Sequence, residues 1–134
     1  MGITATGQVA AVMNFTMAHV ATKYSAAPTQ VSTGQFPVLF VRNVRLEKSE
    51  RALNFASGSL NVIAFEIVVL VEAARQSNQF DAYELTRLII DELASELETN
   101  AAALHLDYYT ILETFETAGE TAYFTVLADV RTSG

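Results

Sequence analysis

The stretch Leu60–Arg75, LNVIAFEIVVLVEAAR, constrains the fold of this chain more than any other. Its odd positions, Ile63, Phe65, Ile67, Val69, Val71 and Ala73, are apolar without a break. Its even positions, Val62, Ala64, Glu66, Val68, Leu70 and Glu72, alternate between apolar and acidic. A period of two with β-branched enrichment predicts a long β-strand and not a helix. The odd face is expected to lie against helices of the same chain. The even face is too apolar for plain solvent, yet Glu66 and Glu72 bar it from a closed core. A second subunit lying over part of the sheet would meet both conditions.

Composition points the same way. The 134 residues form one domain, 1–134, large enough to bury a core without staples. Charged residues are only 17%, against about 25% in an ordinary soluble domain, which leaves little charged surface for a monomer. A formal charge of −7 argues against generic nucleic-acid binding through phosphate contacts, and no sequence-specific nucleic-acid partner is expected. The absence of cysteine removes disulfides and thiolate metal sites. No apolar run reaches the ~18 residues of a bilayer span, so no membrane partner is expected. The first residues lack the basic start of a signal peptide, so the expectation is mature sequence. Gly2 with Thr6 is too little to support myristoylation.

Taken in order, residues 4–24 read as an amphipathic helix. Val9, Val12, Met13, Thr16, Met17, Val20 and Tyr24 form its stripe, with Thr4 or Thr6 as N-cap. Phe15 falls off that stripe, as a single exposed aromatic or as a contact with a neighbouring subunit. Ser25–Gln35 reads as a loop. Phe36–Leu46 reads as a strand with Pro37 at its start or on an edge. Glu47–Ser59 is too long for a tight hairpin and reads as a flap. Gln76–Gln79 is a polar turn. Asp81 and Glu84 have capping-box spacing and Phe80 and Leu85 staple spacing, opening a second helix. Its buried stripe is Ala82, Ile89, Ile90, Leu93 and Leu97, and Asn100 is its left-handed stop, with AAALHL able to add a turn. Asp107–Thr117 and Thr121–Arg131 read as a closing hairpin. The predicted fold is α+β, in the order α-β-β-α-β-β, with a mainly antiparallel four-stranded sheet under two helices.

No catalytic constellation is expected, and neither a metal nor a cofactor. His19 and His105 have no ligand-spaced partners. Glu66 and Glu72 lie ~20 Å apart at roughly 3.3 Å per residue, too far for a glycosidase-type pair. Asp91, Glu92, Glu96 and Glu98 read as the wet face of a helix. Arg42, Arg45, Lys48 and Arg51 are half of the chain's eight basic residues, collected around the flap. They form either a solvated hairpin or a docking patch for an acidic partner.

The order of elements, carried by FPVLFV at 36–41, the 60–74 strand, FDAYELTRLIIDELASEL at 80–97 and ETAYFTVLADVR at 120–131, resembles the tail terminator proteins of long-tailed bacteriophages. These are also called tail completion or minor tail proteins. The likeness is one of order, length and texture over nearly the whole chain, and head–tail connector proteins share much of it. It implies a structural virion protein and not an enzyme, assembled in the host cytoplasm and seated at the tail–neck junction. Its ring of identical subunits, expected to be hexameric, would cap the tail tube, end tube polymerisation and meet the neck. The implied partners are a sister copy, the tube protein and a neck or connector protein. On that reading Phe15, Val62, Val68, Leu70, Tyr123 and Leu127 are candidate subunit contacts, and Arg42, Arg45, Lys48 and Arg51 candidate tube or neck contacts. The alternatives are a small dimeric α+β domain that binds a ligand or carries an activity, and an adaptor of a contractile injection apparatus.

Overall fold

A computed structural model describes residues 4–31, 33–49, 60–73, 79–118 and 121–133. Helix α1 (Ala5–Met13) is followed by a short strand β1 (Thr22–Tyr24) and the long strands β2 (Val38–Ser49) and β3 (Leu60–Ala73). Helix α2 (Gln79–Thr99), a single turn α3 (Ala101–Leu104) and the hairpin β4 (Leu106–Ala118) and β5 (Thr121–Ser133) complete the chain. The class is α+β, as expected. The sheet, however, has five strands in the order β1-β2-β3-β5-β4 and is mixed, because β1 runs parallel to β2 while the other pairings are antiparallel.

β3 is hydrogen-bonded on both sides, to β2 and to β5. Its odd face is the floor of the core: Ile63, Phe65, Ile67, Val69, Val71 and Ala73 are all buried. β5 adds Phe124, Val126, Ala128 and Val130 to that floor, and α2 lays Ile89, Leu93 and Leu97 over it. Burying one such side chain contributes about 1.5–3 kcal/mol, so this two-layer contact is the main source of stability. None of the helices among the described residues is long and apolar enough to cross a membrane.

The first helix is shorter than its stripe predicted. Thr4 caps it, its Oγ1 accepting from the Gly7 N–H at 3.0 Å. It ends at Met13, where the Asn14 N–H reaches the carbonyls of Ala10 and Ala11. Thr16, Val20 and Thr22 are β-branched and poor helix formers, and tertiary acceptors take the segment's amides. Glu96 accepts from the Thr16 N–H at 2.6 Å, and Glu92 accepts from Ala18 and His19 at 2.9 and 3.3 Å. Two carboxylates predicted to be wet are thus fastened to the chain leaving α1. Lys23 donates from Nζ to the carbonyls of Met13 and Phe15, closing the C-terminal end of α1 with a positive charge. Tyr24 lies in β1, not on a helical stripe.

Other boundaries also move. α2 begins at Gln79, so Asp81 lies inside the helix and is not its N-cap. Asn100 is not left-handed, with φ −100°; its side chain donates to the Glu96 carbonyl at 2.8 Å. The extra turn forms as α3, and the left-handed stop is His105, with φ 55°. β2 runs on to Ser49, so the flap's first residues are strand, and positions 50–59 lie outside the described residues.

A buried polar clasp joins α1 to the sheet. Gln8 Nε2 donates to the Leu104 carbonyl at 2.9 Å and to Thr132 Oγ1 at 2.6 Å, and Thr132 donates to the Ile63 carbonyl at 2.8 Å. Gln8→Ala removes the donor to the Leu104 carbonyl and to Thr132 Oγ1 and should cost about 1–3 kcal/mol in urea unfolding. Leu93→Ala, which opens a cavity between α2 and β3, should cost about 2–5 kcal/mol in the same measurement.

Candidate interaction surface

The three α-helices pack on the odd face of β3. The other face carries no α-helix among the described residues, but the 3₁₀ turn Thr33–Gln35 lies against it, Gln35 Nε2 donating to the Tyr24 hydroxyl at 2.6 Å. Cross-strand register gives this open face its pattern. Tyr24, Phe40, Val68, Leu127 and Leu112 stand in one row across all five strands. Beside it run Thr22, Val38, Leu70, Thr125 and Thr114. Phe36 laps over that end, its ring centroid 5.6 Å from that of Tyr123. The result is an apolar band across half of the face.

Two predicted contact residues do not lie on a free surface. Phe15 is 2% exposed and belongs to the core between α1 and the sheet, because α1 ends before it and the chain turns it inward. Val68 does sit on the even face but is 1% exposed, and its neighbours there, Val38 and Phe40, are buried with it. Val62, Leu70, Tyr123 and Leu127 are half-buried on the open face. Leu112, which sequence reading passed over, is 60% exposed at the end of the same row. Its signal was available, as an apolar residue at an even position of a strand flanked by Thr110 and Thr114.

The other half of the face is polar, and a β-bulge makes it so. Arg42 pairs with Glu66 while Arg45 pairs with Ala64, so β2 spends one more residue than β3. Asn43, in the left-handed region at φ 54°, absorbs the turn. In a regular strand Arg42 and Arg45 would point to opposite faces; the bulge puts both on the open one. There Glu66 Oε1 accepts from Arg42 Nε and from Asn43 Nδ2, each at 2.8 Å, and Arg45 Nη1 donates to the Asn43 carbonyl at 3.0 Å. Asp129 and Arg131 on β5 continue the same rows. Arg42 first, then Asn43 and the charge of Arg45, hold the Glu66 carboxyl below the ordinary glutamate range, against the opposing effect of its partial burial. Lys48 lies further along β2, and Arg51 lies outside the described residues.

A third feature adjoins the bulge. α1 and β2 border an open groove of about 630 Å³ whose walls include Ala5, Val9, Ala10, Met13 and Val44. Among the described residues there is no cluster of three or more side chains suited to a metal ion. No known protein family matches the chain, and neither does any curated protein.

Because the folded-state pKa of Glu66 is depressed, its contribution to stability is present above the ordinary carboxylate range and is lost as the pH falls below it. Glu66→Gln should therefore lower the urea midpoint near neutral pH, and the difference from the native chain should shrink on acidification. A gap that stays constant with pH would show that charge pairing with Arg42 is not the cause.

Proposed function

We propose that this chain is the structural subunit of a homo-oligomeric ring of the tail-terminator kind, which caps a phage tail tube and joins it to the neck. The observation that carries the reading is a sheet covered by α-helices on one side only, among the described residues. Its other side presents the half-buried Leu70 and Leu127 and the exposed Leu112, beside a buried apolar centre, and next to them the ionic cluster around Glu66. Contiguous apolar surface of this kind marks association sites, and a polar half beside it fixes orientation more than it adds affinity. The order of elements supports the specific assignment through the family resemblance carried by residues 36–41, 60–74, 80–97 and 120–131.

On this reading Arg42 and Arg45 serve first to orient Glu66, and their outer surface is what a tube or neck protein would meet. Mass photometry of the purified chain should give particles near six protomers, ring-shaped in negative stain. Added to polymerising tube protein, those particles should shorten the tubes. Particles of two protomers would favour the small dimeric domain, and a strict monomer at high concentration would remove the ring.

A further inference from the structure

We propose that copies of this chain join edge to edge, the outer edge of β4 in one copy pairing with Val41–Ser49 of β2 in the next. The proposal rests on the ring reading and deepens it: the strand edges would hold copies together, which leaves the open face for another component.

Both edges are unpaired over long stretches among the described residues. β4 is a terminal strand of 13 residues. It contains no Pro, Lys or Arg, which are the usual guards against edge pairing, and its single bulge lies at the Leu106–Tyr108 end. At the opposite edge β1 covers β2 only at Val38, Leu39 and Phe40. The two edges differ in charge. β4 carries Asp107, Glu113 and Glu116, whereas β2 beyond Phe40 carries Arg42, Arg45 and Lys48 against the lone Glu47. Each edge also exposes large apolar side chains, Val44 and Leu46 on β2 and Tyr108, Leu112 and Phe115 on β4.

Strand direction fits as well. Three successive antiparallel pairings leave β4 antiparallel to β2. Rotating a copy about an axis along the strands preserves direction, so the incoming β4 meets β2 antiparallel, the more stable pairing. Faces are preserved too. Phe115 packs on Phe124, 4.9 Å between ring centroids, on the helix side of the sheet. In the joined sheet it comes beside the groove between α1 and Val44, which has room for a large side chain. Two different edges meeting make a head-to-tail contact, which closes into a ring when the rotation permits and otherwise runs on as a filament.

The test uses exposed positions, so that folding is not at stake: Leu46→Asp on β2, and Leu112→Lys with Glu113→Lys on β4. Circular dichroism should match the native chain, and each variant should still melt cooperatively, at a lower temperature than the native assembly because the stabilisation by association is lost. By light scattering each variant alone should fall to the mass of one protomer, while their mixture should recover particles of two or more, since each still owns one intact edge. Hydrogen exchange of the outward amides of β4 and of Val41–Ser49 should be slow in the native assembly and fast in the separate variants. Variants that keep the native mass would overturn the edge contact and leave the ring reading standing. A mixture that stays at one protomer would overturn the head-to-tail arrangement. A native chain that never exceeds one or two protomers would overturn both.

Discussion

β3 is hydrogen-bonded along its length to β2 on one side and β5 on the other, and the rest of the fold takes its position from that ladder. With its backbone groups satisfied within the sheet, β3 can be apolar on both faces without leaving an unpaired donor or acceptor. One face then gathers α1, α2 and α3 into a single core, with Phe65, Ile67 and Val69 at its floor. The other has a row of large side chains that cover one another at the centre and not at the edge. Val68 is closed off there, while Leu112, at the end of the same row on the edge strand, stands in solvent.

A second constraint sits at the chain's first turn. α2 is anchored to the core by Ile89, Leu93 and Leu97, and its neighbouring flank carries Glu92 and Glu96. Those carboxylates receive the amides of Thr16, Ala18 and His19 and, with Lys23 on the far side, hold the chain in the turn between α1 and β1. Charge-assisted bonds to backbone N–H groups are stronger than neutral ones. They outcompete the helical pattern of residues 14–24, which the β-branched residues there already weaken. The same turn places β1 against β2 and so limits how much of β2 is covered.

The asymmetry that results is the functional argument. The α-helices occupy one side of the sheet, a short parallel strand covers one end of one edge, and the acidic edge strand β4 has no outer strand partner among the described residues. The bulge at Asn43 turns Arg42 and Arg45 to a common face around Glu66, so that the polar half of the open face is ordered and not a scatter of solvated charges. In the proposed ring, a subunit could use each of these features.

Several parts of this account were legible in residues alone. The inward set of β3, the core stripe of α2, the alternation of β5 and the α+β class follow from periodicity, because burial on one face imposes period two on a strand and 3.6 on a helix. The length of α1, the burial of Phe15, the roles of Glu92 and Glu96 and the shared face of Arg42 and Arg45 were not legible. Each depends on a partner distant in sequence or, at Asn43, on one extra residue whose effect appears only when β2 is laid against β3. Local pattern determined which side chains leave water; only the assembled sheet decided which backbone groups their charged neighbours would hold and which edges would remain unpaired, since these are fixed by register between strands and not by the order of residues within one.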